Sequence, residues 1–181
     1  MPNAERIYDE LLLIHARAGD MRAAERLAVR WYPRLLQSAQ RMLHDVEMAE
    51  EAVQEAWAGI CGGWIGLNDP SRFPAWAYGI LSRKCIDRLR KHIRDRSRTA
   101  ELEAETVPAG TSVGDDRAAL NQAFAALPDT QRITATLYFG EQLSLSEIAS
   151  ATGVPVGTVK SRLFKARSAL KHSLGKETHN E

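Results

Sequence analysis

The sequence predicts an all-α protein in which two small helical domains are joined by a flexible linker. Apolar residues recur at helical spacing over most of the chain, and alternating β-branched runs are few. Hydrophobic residues make up 44% of the 181 residues, which is enough to fill real cores. Residues 96–117 contain no aromatic residue and little apolar material, and this composition is typical of a linker.

The first domain, residues 1–95, begins with two helical patterns. Leu11, Leu12 and Ile14 open the first pattern, and Gly19-Asp20 marks the turn that follows it. The second pattern keeps helical spacing over a long stretch. Its apolar positions are Ala24, Leu27, Ala28, Trp31, Leu35, Leu36, Ala39, Met42 and Leu43.

Two more helices complete this domain. One starts near Asp45, and the other runs from about Pro74, a favoured first-turn residue, to about Arg94. Between them, the glycines of residues 62–66 and the stretch LNDPSRFP break the pattern and predict a loop. The inward positions of the earlier helix are expected to be Ala49, Ala52, Val53, Ala56, Trp57 and Ile60.

The second domain, residues 118–174, is expected to contain four helices. The pattern places them at 118–126, 129–139, 145–151 and 155–172. Pro108, Gly110 and Gly114 discourage a continuous helix between the two domains. Residues 175–181 form a short polar tail that we expect to be disordered.

The formal net charge of +1 hides blocks of opposite sign. Residues 45–55 carry five acids and no Lys or Arg, whereas residues 83–98 carry eight bases and two acids. Residues 160–171 carry five bases and no acid. Charge that is segregated in this way predicts two kinds of partner surface, on separate helical faces.

The sequence offers no candidate for a metal site, a cofactor site or a membrane span. Cys61 and Cys85 lie in apolar surroundings without a CxxC pair, so we expect buried free thiols. The five histidines are scattered, with no matching nucleophile, carboxylate pair or phosphate-binding glycine loop, so we expect no enzymatic activity. The amino terminus lacks the pattern of a secretory signal, and no apolar run approaches about 18 residues. We therefore expect a cytoplasmic protein.

The stretch LSEIASATGVPVGTVKSRLFKAR, residues 145–167, has the pattern of a helix-turn-helix. The small Ala149 lets two helices approach, Gly153 takes the turn, and Val159 fills the junction. In the second helix, an apolar stripe at i, i+4, i+7 and i+11 should face the core. This stripe consists of Val159, Leu163, Ala166 and Leu170.

A neighbouring face of the second helix combines charge with one aromatic ring. It carries Lys160, Ser161, Phe164 and Lys165. Two cations, a hydroxyl and an apolar ring can contact phosphates, base edges and thymine methyl groups in a DNA major groove. Because a phenylalanine on this outer face has no core to fill, the pattern favours recognition over a merely solvated basic helix.

The stretch ALPDTQR (126–132) and the helix-turn-helix together resemble the promoter-binding domain of bacterial extracytoplasmic-function (ECF) sigma factors. This resemblance implies that the −35 promoter element is contacted by Thr158, Lys160, Ser161, Phe164 and Lys165. Lys165 stands where arginine is common in that family, and lysine binds guanine less well than the forked arginine does. LuxR-type response regulators have a similar helix-turn-helix, so this half alone leaves both families open.

The stretch HDVEMAEEAVQEAW, residues 44–57, resembles the sigma-factor helix that docks on the coiled-coil clamp of RNA polymerase. Glu51, Gln54 and Glu55 are spaced i, i+3 and i+4, so they emerge on one side of the helix. The resemblance implies that these three residues bind core polymerase. An acidic, amide-bearing face suits a basic coiled coil and would steer the association.

The stretch RFPAWAYGILSRKCIDRLRKHIR, residues 72–94, resembles the sigma-factor segment that melts and reads the −10 element. Holding an opened strand requires a cationic track and a pocket for an extruded base. The resemblance implies that a base is captured by the loop before the helix, through Asn68, Ser71 and Arg72. The cationic track would consist of Arg83, Lys84, Arg88 and Lys91.

Some residues of this segment leave alternatives open. Many family members carry asparagine where this chain has Arg83, and arginine lacks the acceptor of an amide. Either the protein reads a different −10 base, or Arg83 holds a phosphate and the loop does the reading. Trp76 and Tyr78 match aromatic positions of the family. Trp76 nevertheless fits a core position better than a stacking platform, and Phe73 is similarly ambiguous.

The resemblance as a whole implies a sigma factor without cofactor or catalysis, whose acids face core RNA polymerase and whose bases face promoter DNA. It also implies regulation by an anti-sigma factor. One rival is a one-component helix-turn-helix regulator that binds a palindromic operator as a dimer and leaves the 44–57 face unexplained. The other is a sigma-like mimic that sequesters regulators through protein contacts alone.

Overall fold

All regular structure in residues 3–99 and 116–177, which the computed structural model describes, is helical. The all-α prediction is therefore confirmed for this part of the chain. None of the helices in these ranges has the length and apolar character that crossing a membrane requires. The predicted linker at 96–117 and the predicted tail at 175–181 lie for the most part outside the described residues.

The first half opens with α1 (Asn3–Arg17) and α2 (Met21–Leu43). Gly19 has a φ of +94°, a left-handed conformation that costs glycine little. Asp20 then caps α2, because its carboxylate accepts hydrogen bonds from the first backbone N–H groups of that helix. The inner face of α2 is fully buried at Leu27, Trp31 and Leu35.

The next two helices are α3 (Val46–Gly63) and α4 (Phe73–Thr99). Asp45 caps α3 by accepting the backbone N–H of Met48 at 2.8 Å. Two short 3-10 turns, Trp64–Gly66 and Pro70–Arg72, occupy the predicted loop. The predicted end of α4 near Arg94 is wrong: because residues 95–99 contain no glycine or proline, nothing in them stops the helix.

The second half contains α5 (Asp116–Ala125), α6 (Asp129–Ala135), α7 (Leu145–Thr152) and α8 (Val156–Glu177). The helix predicted over 129–139 is present, but its last part, Thr136–Gly140, forms a π-helical turn rather than α-helix. There the backbone N–H of Glu141 donates to the carbonyl of Thr136 at 3.2 Å, five residues back. A Cβ on Gly140 would lie 3.1 Å from a guanidinium nitrogen of Arg41 in α2, so this turn passes close to the first half.

The two halves pack against each other through α4 with α7 and α2 with α6. A Cβ added to Gly79 of α4 would lie only 3.2 Å from the Cα of Ala151 in α7, so the two backbones approach closely. The sequence left the arrangement of the domains open. The structure joins them in one hydrophobic cluster, whose members include Trp31, Phe73, Leu81, Ile133, Leu137 and Ile148.

Candidate nucleic-acid interface

The helix-turn-helix consists of α7, a tight turn and α8. Ser144 and Glu147 form a capping box at the start of α7: the Glu147 carboxylate accepts the Ser144 backbone N–H at 2.8 Å, and the Ser144 hydroxyl accepts the Glu147 N–H. Gly153 ends α7 with a φ of +68°, and Val159 is fully buried where α7 and α8 meet. The predicted places of Gly153 and Val159 are therefore confirmed.

Glu147 also connects this motif to the first half of the chain. Its carboxylate accepts a hydrogen bond from the guanidinium of Arg6 in α1 at 3.0 Å. Burial by itself would raise the pKa of Glu147, but the hydrogen bonds from Ser144 and the charge of Arg6 outweigh it and lower that pKa. Glu147 is thus held as a carboxylate that braces α7 against α1.

The apolar stripe of α8 faces inward, as the spacing predicts. Val159, Leu163 and Ala166 are buried, and Leu170 packs against a small second cluster that contains Leu127. The face beside the stripe consequently faces solvent. Thr158 at its start is half-buried, and it is followed by the exposed side chains of Lys160, Ser161, Phe164 and Lys165.

Phe164 has 76% of its surface exposed, more than any other aromatic side chain among the described residues. Lys160 and Lys165 flank it in sequence, and neither forms an ion pair with any described residue. The hydroxyl of Ser161 donates to the Thr158 carbonyl at 2.9 Å, which leaves its oxygen lone pairs as acceptors. This surface, Lys160 to Lys165, can therefore offer cations, a hydroxyl and a ring to one ligand.

The predicted base-capturing loop is exposed, and a short hydrogen-bond network fixes its shape. Asp69 accepts hydrogen bonds from the backbone N–H of Ser71 at 3.0 Å and from its hydroxyl at 2.6 Å. These bonds from Ser71 hold the pKa of Asp69 below its usual value. Because the Ser71 hydroxyl is already donating, it can meet a base only as an acceptor. Asn68 and Arg72 are exposed on either side of this network.

The second half supplies one wall of the cleft beside this loop. A cavity of about 290 Å³ lies between α4 and α7. On the α4 side it is lined by Arg72, Trp76 and Arg83, which belong to or adjoin the predicted −10 surface. On the α7 side it is lined by Ser146, Glu147, Ser150 and Ala151. No local pattern in the sequence indicates that α7 lies here.

The aromatic residues before and inside α4 belong mainly to the core. Phe73 is fully buried and Tyr78 almost so, so neither is a stacking platform in this conformation. Trp76 is partly buried, with its ring centroid 6.0 Å from that of Phe73. Gly63 makes room for the Trp76 ring, because a Cβ there would lie 2.9 Å from it. The core interpretation of Trp76 therefore fits the structure better than the stacking one.

The two cysteines differ in their surroundings. Cys85 in α4 is fully buried, and burial raises the pKa of its thiol to about 12. Cys61 in α3 is only partly buried, and burial raises the pKa of its thiol as well. The expectation of a buried thiol is thus confirmed for Cys85 but not fully for Cys61. Within the described ranges, no group of three or more His, Cys, Asp or Glu side chains is placed to hold a metal ion.

The candidate polymerase-binding face lies on α3. Glu51, Gln54 and Glu55 are exposed, while Val53 and Ala56 are fully buried on the other side of the helix. The i, i+3, i+4 spacing therefore places the three polar side chains together, as predicted.

Ion pairs join this acidic face to the predicted DNA track on α4. Lys84 Nζ lies 2.9 Å from a carboxylate oxygen of Glu55, and the Arg88 guanidinium donates to both Glu51 and Glu55. Arg83 and Lys91, the other two members of the track, are exposed. The prediction of separate acidic and basic surfaces is therefore wrong here, because packing of α3 on α4 brings the two sets into contact.

Glu141 is a residue that the sequence did not single out. Its largely buried carboxylate accepts hydrogen bonds from the hydroxyls of Ser38 in α2 and Tyr78 in α4, and Arg41 lies 3.9 Å away. Burial, together with the adjacent Glu141 charge, raises the pKa of Tyr78 far above its usual value, so its hydroxyl remains a donor. Glu141 therefore ties the end of the π-helical turn to two helices of the first half.

Arg132 is the second such residue. Only 6% of it is exposed, and its guanidinium donates to the carbonyl of Met42 at 2.7 Å and to that of Leu127 at 2.9 Å. It also pairs with Asp129 at 2.6 Å. Since Met42 lies in α2, Arg132 connects the last turn of that helix to the second half. A charged residue just before the apolar run ITATLYF is the only sequence signal that could have indicated it.

Each half of the chain matches the model of a known protein family. Residues 27–95 match the model of sigma-70 region 2, and residues 117–170 match that of sigma-70 region 4. The chain is 30% identical to the ECF RNA polymerase sigma factor SigW of Bacillus subtilis, over 86% of this chain and 91% of that protein. It is 29% identical to the RNA polymerase sigma-H factor of Pseudomonas aeruginosa, over 92% and 93% respectively.

The fold has a solved counterpart. The sigma factor RpoE in complex with the anti-sigma factor NepR, from Bartonella quintana, superimposes with a TM-score of 0.71. The match covers 83% of this chain and 96% of that chain, at 23% sequence identity.

Proposed function

Since the chain belongs to the extracytoplasmic-function family of RNA polymerase sigma factors, we propose that it divides promoter recognition between α8 and the α4 region. Sigma factors of this family are not enzymes: they bind core RNA polymerase and direct promoter-specific initiation of transcription. What remains to be assigned is which surface of this chain meets which partner.

The −35 element is read by the outward face of α8 in the major groove. The observation that carries this assignment is the 76% exposure of Phe164 between two lysines that pair with no described residue. A phenyl ring left in water on the second helix of a helix-turn-helix gains most from contact with thymine methyl groups. Lys160 and Lys165 then contact phosphates or guanine edges, and Thr158 and Ser161 add hydrogen bonds.

The melted −10 element is held by the loop at 68–72 and by α4. Asn68 can both donate to and accept from an extruded base, whereas the guanidinium of Arg83 can only donate. We therefore assign base reading to the loop and phosphate contact to Arg83. Lys84, Arg88 and Lys91 continue the cationic track along α4.

Core polymerase is bound through the α3 face formed by Glu51, Gln54 and Glu55. All three side chains are exposed on one side of the helix, and a basic coiled coil would complement them. The structural neighbour from Bartonella quintana was solved with an anti-sigma factor. By analogy, an anti-sigma factor would cover the DNA-binding faces of this chain. We place the action of the chain in the cytoplasm, where RNA polymerase works.

Transcription in vitro tests this function directly. The purified chain is added to core RNA polymerase on fragmented genomic DNA of the source organism, and RNA start sites are mapped. We expect starts that require the chain and share −35 and −10 elements. A one-component regulator would instead bind a palindromic site without polymerase, and a mimic would start no RNA. Failure to initiate at any site, with folding verified and inhibitors absent, would refute the proposal.

A further inference from the structure

The surface between α3 and α4 contains a compact ion-pair network. Glu51 and Glu55 are one helical turn apart on α3, and Lys84 and Arg88 are one turn apart on α4. Arg88 bridges the two carboxylates, and Lys84 binds Glu55. The side chain of Arg88 is only 21% exposed, so the network covers most of it.

Each member of this network also has a predicted external partner. The two glutamates are assigned to core polymerase, and the two cations are assigned to DNA. A guanidinium that already donates to two carboxylates has fewer N–H groups left for a phosphate, and the carboxylates cancel its charge. The two carboxylates are likewise less available to a basic partner, because they are already paired. Lys84 and Arg88 therefore compete with core polymerase for the two glutamates. In the same way, the two glutamates compete with DNA phosphates for Lys84 and Arg88.

We infer that the α3–α4 surface is a single shared site, in which a basic surface of core polymerase displaces Lys84 and Arg88 from Glu51 and Glu55 and so releases them for DNA phosphates. This inference rests on the proposed function. It makes the two partners bind cooperatively without any movement of the backbone. By linkage, DNA that engages the released cations must raise the affinity for polymerase by the same factor.

The expected coupling is modest, because exposed ion pairs are individually weak. Three such pairs correspond to a factor of about three to ten in affinity. The coupling should shrink as salt rises, since the network is near the surface and is screened. The network nevertheless lowers the affinity of the free chain for nonspecific single-stranded DNA.

The first test measures DNA binding by the free full-length chain. The probe is a fluorescent single-stranded oligonucleotide of random sequence, because phosphate contacts do not depend on sequence. The double variant Glu51→Gln/Glu55→Gln should bind it about three- to tenfold more tightly than the wild type does.

The matched control is Glu47→Gln/Glu50→Gln, which makes the same change of charge on the same helix. Both residues are exposed, and neither pairs with a described residue of α4. We expect this control to gain clearly less affinity for the oligonucleotide than the first variant does, since it changes the net charge but leaves the ion pairs with α4 intact. Equal gains in both variants would overturn the inference.

The second test measures affinity for core polymerase without DNA. Arg88→Gln should bind core more tightly than the wild type, because it frees Glu51 and leaves Glu55 paired with Lys84 alone. The matched control is Arg94→Gln, which removes an exposed cation of α4 that pairs with no described residue, and it should leave core affinity unchanged. Unchanged or weaker core binding by Arg88→Gln would show that the network is only structural. If the wild type itself neither binds core nor initiates RNA synthesis, the proposed function fails instead.

Discussion

The two cationic surfaces of this molecule differ in how ready they are for DNA. On α8, Lys160 and Lys165 extend into solvent and pair with no described residue. On α4, Lys84 and Arg88 are held by acids of α3, and the cleft beside Arg83 has α7 as its other wall. Equal numbers of bases therefore do not make equal binding surfaces. On our assignments, the −35 surface of the free chain is open to DNA. Its −10 surface becomes available only after the ion pairs of Lys84 and Arg88 are broken.

The largest expected effect follows from reversing the open surface. Lys160→Glu/Lys165→Glu places two acids against DNA phosphates, and juxtaposed like charges cost several kcal/mol. We expect promoter-dependent transcription in vitro to fall at least about a hundredfold. Arg22→Glu/Arg26→Glu makes the same change of charge on an exposed part of α2 and should retain most activity. Unchanged promoter output in the α8 variant would favour the mimic.

The next effect concerns the contact by which Glu141 joins the end of the π-helical turn to α2 and α4. Glu141→Ala removes the common acceptor of Ser38 and Tyr78. It leaves the buried Tyr78 hydroxyl without its acceptor, whereas the Ser38 hydroxyl can still donate to the Arg34 carbonyl at 2.9 Å. We expect a loss of about 2 kcal/mol in the free energy of unfolding, measured by urea denaturation of the full chain. Glu141→Gln keeps an acceptor oxygen and should lose less. If both variants are as stable as the wild type, the contact does not hold the two halves together.

What the sequence could predict depends on how far apart the interacting residues lie. The stripe from Val159 to Leu170 and the Ser144 capping box arise from neighbours within a few turns, so local spacing reveals them. The exposed face of α8 follows from the same periodicity. Most helix boundaries follow from local spacing for this reason. The exceptions are the ends of α4 and α8, which run to Thr99 and Glu177, beyond the predicted ends near Arg94 and at residue 172.

Contacts between distant segments were not predictable in this way. Glu141 is separated from Ser38 by 103 residues, and Arg132 is separated from Met42 by 90. The pairing of Arg88 with Glu51 likewise spans 37 residues. Periodicity places each side chain on a face of its own helix, but only the packing of helices decides which faces meet. The sequence therefore revealed the candidate residues and not their mutual neutralisation.

The smallest effect concerns Arg83, a cation of the cleft that takes no part in the ion-pair network. Arg83 is exposed, and if it holds a phosphate, Arg83→Asn should weaken binding of melted −10 DNA by the polymerase complex a few-fold for every sequence. The slope of log affinity against log salt should also fall by about 0.7, the value for one contact on a single strand.

Asn68→Ala provides the contrast, because it removes a group assigned to base reading and leaves the cationic track intact. It should relax the preference at one −10 position while keeping the salt slope of the wild type. A new base preference in Arg83→Asn, with no change in slope, would mean that the arginine faces the captured base. The cleft between α4 and α7 would then be a specificity pocket, and its two arginines would have to be assigned anew.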